Sequence, residues 1–225
     1  MSWVARRNAE YDAMTAELIR RSVRRDAVTV DAGANHGLIL RQLLRAAPQG
    51  KHYAFEPLPH LAKRLRRLRR ATVFQVALAD YEGQATFHYL PGRDAESSLH
   101  ERPERTAEMT VVDLTVPVRR LDDVLPNDEH VDFVKIDVEG AQGALLRGAQ
   151  ATLSRSDPVV VLECHVDELA EAADLLAQAG LDIWLIGDYL NGARRPRLEV
   201  EELARSRGEW YFVASSVARH VALGR

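Results

Sequence analysis

Four short apolar runs in this chain each end in an acid. Ala27 to Val30 runs into Asp31, His52 to Phe55 into Glu56, Val131 to Ile136 into Asp137, and Pro158 to Leu162 into Glu163. Runs of this length, separated by helix-length segments, read as parallel strands covered on both faces. Open sheets of that kind bind ligands outside the carboxyl ends of their strands, where the strand order reverses. The pattern therefore predicts one α/β domain with acids gathered along one rim.

The rest of the chain fits that frame. A lead-in helix is expected over residues 3 to 25, within an N-terminal segment of 1–26, and the domain proper over 27–225. Helices are expected from Leu38 to about Pro48, Pro59 to Arg70, Ala141 to Leu153 and Val166 to Ala179, with a short one from Leu121 to Leu125. A third strand is expected over Thr72 to Leu78, a sixth over Asp182 to Ile186, and an antiparallel last strand over Trp210 to Ala214. Residues 84–109 break the rhythm. Gln84 to Leu90 alternates like a strand, Pro91-Gly92 turns, and Arg93 to Glu108 is polar, which suggests a mobile insertion or a lid around Ser97-Ser98-Leu99. Residues 187 to 208 read as a charged connection.

Composition narrows the function classes. No window approaches 18 consecutive apolar residues, so no membrane span is expected, and the opening Met1 to Met14 has two arginines with no apolar run behind them, so no secretory leader is expected either. A cytoplasmic bacterial protein is therefore expected, and the excess of arginine, 27 of the 30 basic residues, reads as the codon bias of a GC-rich genome. A single cysteine, Cys164, excludes an internal disulfide and a cysteine zinc site. The net charge of -3 speaks against nucleic acid as a partner.

The turn after the first strand, Asp31-Ala32-Gly33-Ala34-Asn35-His36-Gly37, allows a ligand close to the backbone at a helix start. It lacks the first glycine of a dinucleotide fingerprint and opens with an acid, which disfavours a nicotinamide oxidoreductase. Glu56 follows Gly33 by 23 residues, near the offset of about 20 at which a strand-two acid meets ribose hydroxyls. A nucleoside with a positive centre fits these features, namely S-adenosylmethionine.

The strings VDAGANHG (30 to 37), YAFEP (53 to 57), VALAD (76 to 80), SSL (97 to 99), LDD (121 to 123), KIDVEGAQGALLRGA (135 to 149) and VLE (161 to 163) resemble the FkbM-type S-adenosylmethionine-dependent methyltransferases. That resemblance implies a class I methyltransferase, Rossmann-like fold with a seven-stranded, doubly wound, mostly parallel sheet and an antiparallel last strand. It implies O-methylation of a hydroxyl on a sugar, glycan or secondary metabolite such as a macrolide. It also implies cofactor contacts at Asp31, Gly33, Asn35, Gly37 and Glu56, with the adenine near Ala77, Leu78 and Asp80. One departure is visible: Gln142 stands where the family usually has an acid.

An alkanol must lose its proton during attack, which calls for a base or a cation. His165 and Asp137 are the candidates for the base, and Glu163 joins them as the third expected catalytic residue. Asp137 and Glu163 are also candidates to hold a magnesium ion. Plainer roles stand beside these: Lys135 as a neutraliser of Asp31, Asp137 or Glu163, His36 as a helix cap, Glu139 as either a helix-start anchor or a substrate contact, and Cys164 as a small buried residue. KRLRRLRR (63 to 70) reads as an amphipathic helix with a solvated basic face, given Leu61, Leu65 and Leu68. The expected partner is a small-molecule or glycan acceptor, with no nucleic acid or membrane, and a homodimer is an option. The competing readings are N-methylation and a non-catalytic nucleoside-binding protein.

Overall fold

The computed structural model describes residues 3–100, 110–193 and 197–223. Its centre is a seven-stranded sheet built from β1 (Val28–Ala32), β2 (Lys51–Phe55), β3 (Thr72–Phe74), β7 (Phe133–Ile136), β8 (Val159–Glu163), β9 (Asp182–Leu185) and β10 (Tyr211–Ser215). The order is β3-β2-β1-β7-β8-β10-β9, parallel except where β10 runs against both β8 and β9. The chain starts in the middle and winds outward both ways, so the order reverses between β1 and β7. The first rim acid, Asp31, lies in β1, paired in register with Lys135 of β7.

The alternation of segments follows from burial. Every side chain of β7 is buried, as are Val159 to Leu162 of β8, so both faces need cover. Helices supply it. Helix α1 (Trp3–Ser22) lays Tyr11, Leu18 and Ile19 against Phe133, Val159, Val161 and Val213, with α2 (Leu38–Ala46) beside it through Leu43. On the other face, α5 (Gln142–Arg147), α6 (Gln150–Ser156) and α7 (Leu169–Gln178) bury Leu145, Leu146, Leu153 and Leu176 against Val134, Ile136, Val160 and Leu162. Helix α3 (Pro59–Leu65) buries Leu61 and Leu65 and exposes Lys63 and Arg64, but it stops at Leu65, short of the expected Arg70, so the rest of the basic run follows as exposed turns around half-buried Leu68.

Several boundaries differ from the sequence expectation. The segment Thr72 to Leu78 is not one strand: β3 ends at Phe74, and β4 (Ala77–Leu78) joins a second sheet of order β4-β6-β5 with β5 (Gly83–Tyr89) and β6 (Val112–Arg119). Apolar content made the two pieces look continuous, because Ala77 and Leu78 are buried in both readings. The helix expected over Ala141 to Leu153 breaks at Gly148, whose missing side chain lets the Ala79 carbonyl approach; a methyl group there would lie 2.0 Å from that oxygen. The short α4 (Leu121–Val124) precedes it. The charged connection contains α8 (Ile186–Leu190) and α9 (Arg197–Arg207), and a further helix, α10 (Val217–Leu223), follows β10. Among the described residues no helix is long and apolar enough to cross a membrane.

Part of the polar segment after β5 is firmly tied. His88 and Ser98 exchange backbone hydrogen bonds, the Leu90 N–H donates to Ser97 Oγ at 3.0 Å, and both serines are buried. The remainder, 101–109, lies outside the described residues.

Candidate active site

A cleft with about 580 Å3 of empty space opens at the carboxyl ends of β1, β2 and β7 and is bounded on its far side by the small sheet. Its floor is the turn after β1. The Gly33 and Ala34 N–H groups both donate to the Phe55 carbonyl at 3.0 Å, which ties the turn to the end of β2. Gly33 and Gly37 have φ of +78° and +77°, and Asn35 is left-handed at 45°. Non-glycine residues adopt that conformation at a cost, and such strain collects at functional sites. The second such residue on the cleft wall is Glu139, at φ 34°.

Glu56 is fixed by two backbone donors. The Asn35 N–H reaches Oε2 at 2.8 Å and the Leu58 N–H reaches Oε1 at 2.9 Å. Burial outweighs these bonds and pushes its carboxyl up to about 7. Beside the carboxylate, Phe55, Val76, Ala77, Leu78 and Phe87 form an apolar slot. Asn35 Oδ1 is a buried acceptor without a protein partner, as is Asp31 Oδ2 behind the turn. Both atoms want a donor that the described residues do not supply.

Around β7 the acids draw together. Asp137, Glu139 and Glu163 each bring a carboxylate oxygen to within 4.8 Å of the others. Lys135, 2% exposed, places Nζ 3.4 Å from Asp137 Oδ2 and 5.1 Å from the centre of the Tyr211 ring. The Tyr211 hydroxyl donates to Glu163, whose register partner it is. Burial, then the Asp137 charge, pushes the Glu163 carboxyl up to about 7; burial raises fully buried Asp31 to about 7. Lys135 is thus placed behind the cleft to neutralise these acids, the plainer role expected of it. Asp12 of α1 is close enough to feel both Lys135 and Asp137.

The residues of this cleft match a known family. The family model described as the methyltransferase FkbM domain matches residues 31–183, more than half of the chain. The chain belongs to the FkbM methyltransferase domain family. It is 31% identical over 147 residues to the 2-O-methyltransferase NoeI of Sinorhizobium fredii, a match covering 58% of this chain and 60% of that protein. It is 29% identical over 183 residues to Methyltransferase 1 of Beauveria bassiana, covering 70% of this chain and 73% of that protein. The crystal structure of the methyltransferase FkbM from Methylobacillus flagellatus superposes with a TM-score of 0.52 at 16% identity, over 85% of this chain and 44% of that one. The chain therefore spans less than two thirds of the length of the Sinorhizobium relative, and the structural likeness speaks for the class I methyltransferase fold.

Against this FkbM framework the expected site residues divide into two groups. Gly33, Asn35, Glu56, Ala77, Leu78 and Asp137 line the cleft. Asp31 lies buried behind it, Gly37 packs on Leu65 and Leu68, and Asp80 is occupied by Arg147 at 2.7 Å. Glu163 stands one layer back, joined to Asp137 by proximity and to Tyr211 by its hydrogen bond. His165 is just over half exposed and turned to Asp167, with Nδ1 3.4 Å from its carboxylate. Gln142 is buried and donates from Nε2 to the Glu163 carbonyl at 2.8 Å, a tie between helix and strand. Cys164, just past the end of β8, is buried and its thiol is pushed up to about 12 by burial, as an inert packing residue should be.

His36 departs from the expected capping role. It makes no side-chain cap to α2 and instead places Nε2 3.6 Å from Asp94 Oδ2. Asp94, Ala95, Ser97 and Leu99 roof the cleft, and sequence reading did not find Asp94. The signal was weak, because the acid sits in a polar segment with no periodicity.

Proposed function

We propose that this chain is an S-adenosylmethionine-dependent O-methyltransferase acting on a hydroxyl of a sugar, glycan or secondary metabolite. The observation that carries the reading is the pairing, in one cleft, of a backbone-anchored buried carboxylate with an apolar slot and a strained glycine turn. Glu56 would hold the ribose hydroxyls, and the slot formed by Phe55, Val76, Ala77, Leu78 and Phe87 suits the adenine. Asn35, on the cleft wall, offers its Oδ1 as an acceptor to the polar end. The bound nucleoside supplies a methyl group on a sulfonium, already a strong electrophile.

The chain's own task is alignment and proton handling. Asp137 reaches the cleft and is the better placed of the two candidate bases to accept the acceptor's hydroxyl proton, with Lys135 keeping it in position. Glu163 shares its charge environment, and His165 faces elsewhere. Alignment within a closed cleft provides much of the remaining gain. The hydroxyl class follows the likeness to the Sinorhizobium 2-O-methyltransferase and the presence of a base in the cleft.

A second reading has its own observation. Asp137, Glu139 and Glu163 present three hard oxygen donors within reach of one another and would suit magnesium, which would acidify the acceptor hydroxyl.

Calorimetric titration with S-adenosylmethionine and S-adenosylhomocysteine, followed by transfer of labelled methyl to a panel of hydroxyl and amine acceptors, tests the main reading. Binding of neither nucleoside would overturn it, and transfer to amines alone would replace O- by N-methylation. Loss of transfer in chelator with recovery in magnesium would establish the metal.

A further inference from the structure

The roof of the cleft is fastened on two sides by different chemistry. Toward the small sheet, Ser97 and Ser98 are stitched to β5 through backbone and hydroxyl hydrogen bonds. Toward the main sheet, the fastening is one carboxylate. Asp94 opens a short 3-10 turn, Asp94–Glu96, and its Oδ2 lies 3.2 Å from His60 Nε2 on α3 and 3.6 Å from His36 Nε2 in the turn after β1. Tyr89, at the end of β5, adds its hydroxyl to the same carboxylate, and its ring lies 5.6 Å from that of His60. Asp94 thus bridges elements that flank both sheets, across the cleft mouth.

Asp94 also belongs to the cleft interior. It lines the same cavity as Glu56, its side chain is 14% exposed, and its charge is felt at the Glu56 carboxyl. Each Glu56 oxygen already accepts one backbone N–H. An ionised carboxylate offers about four lone-pair sites. A ribose diol therefore meets a Glu56 half consumed by the protein, with Asp94 on the facing wall.

We propose that Asp94 is a second nucleoside-binding carboxylate, held in place by His36 and His60, and that it fastens the roof over the bound ribose. The assignment rests on the reading of this cleft as an S-adenosylmethionine site. Its strength is matched to turnover. Both imidazoles are more than half exposed, and only His60 stands within hydrogen-bonding distance of Asp94, so the tie is a water-accessible polar contact weak enough to open and reform. Ligand contact at Asp94 adds to the tie when the cleft is filled, and its loss frees the roof for product release.

The experiment uses the full chain, with S-adenosylhomocysteine and its 2′-deoxy and 3′-deoxy analogues as probes, read by calorimetry and stopped-flow dissociation. Asp94→Asn is expected to weaken S-adenosylhomocysteine about tenfold, mostly through faster dissociation, as loss of one well-made polar contact does. The wild type should discriminate against at least one deoxy analogue, and Asp94→Asn should lose much of that discrimination while keeping its urea midpoint. The His36→Ala/His60→Ala double variant should speed dissociation without altering which analogue is rejected. Wild-type affinity, dissociation rate and ribose discrimination in Asp94→Asn would overturn the assignment alone. Weaker binding with unchanged discrimination would make Asp94 a structural tie and overturn it equally. Failure of the wild type to bind S-adenosylhomocysteine would overturn the assignment together with the reading beneath it.

Discussion

Gly33 and Asp137 approach so closely that a methyl group on Gly33 would lie 1.8 Å from the Asp137 carbonyl oxygen. The first turn and the end of β7 are therefore in backbone contact, and that contact sets the width of the cleft floor. Gly33 is also left-handed at φ +78°. Gly33→Ala combines an unfavourable backbone with a clash against atoms that cannot rotate away, so it should destabilise the fold by about 3 kcal/mol or more. Urea midpoints measure the loss, and a change under 1 kcal/mol would show that β7 can yield.

Lys135 should be essential to the fold as well as to the cleft. It is fully buried, beside Asp31 and 3.4 Å from Asp137, and its ring contact with Tyr211 covers its other side. Lys135→Met keeps the length and removes the charge, leaving the acids uncompensated. Breaking a buried pair costs about 3 to 5 kcal/mol. The lower end is expected here because Asp137 is 36% exposed and part of its charge is already screened by water. Restoration of the wild-type midpoint by adding Asp31→Asn would trace the cost to charge rather than packing.

Stability of the ligand-free protein should fall as pH rises toward 7. Burial holds both Asp31 and Glu56 at about 7, well above their ordinary values of 3.8 and 4.5. Between those limits the folded state keeps protons that the unfolded chain releases, so the stabilisation is complete at the acidic end and is lost through pH 7. The slope reaches about 1.4 kcal/mol per pH unit for each group. Buried His52 is shifted down from 6.5 by burial and so works against the trend on the acidic side of 6.5, but Glu163, raised to about 7 like Asp31 and Glu56, adds a third carboxyl to the decline. Urea midpoints between pH 5 and 8 should decline, and Asp31→Asn should flatten the decline. A midpoint that climbs over that range would contradict it.

The acids at the strand ends were legible because burial writes itself into composition: a strand covered on both faces is apolar until it reaches the rim, so Asp31, Glu56, Asp137 and Glu163 stand out. Glu56 could be located from its distance to Gly33 alone. What joins residues distant in the chain left no such trace. Asp94 meets His36 and His60 only because the small sheet folds over the mouth, and β4 could not be separated from β3 because both ends of Thr72 to Leu78 are apolar for different reasons. The helix break at Gly148 reflects an approach by the Ala79 carbonyl, which no local periodicity reports. His36 was misread for a related reason: a polar side chain before a helix suggests a cap, whereas its partner comes from the roof.

The first half of the N-terminal helix is tied by an acid near the other end of the chain. Glu209 accepts from the Tyr11 hydroxyl and the Arg7 guanidinium, and Trp210 packs edge-on against Tyr11 and Trp3. Tyr11 is completely buried and Glu209 is 12% exposed, so the bonds are shielded from water. Glu209→Ala leaves the Tyr11 hydroxyl without its acceptor inside the core, which should cost about 2 kcal/mol. Because α1 carries Asp12 toward Lys135 and Asp137, loosening it should also disturb the acidic side of the cleft. Hydrogen exchange should show faster opening over Trp3–Ser22 with β1 and β7 still protected. Uniform acceleration across the sheet would mean that α1 is an inseparable part of the global fold rather than a docked wall.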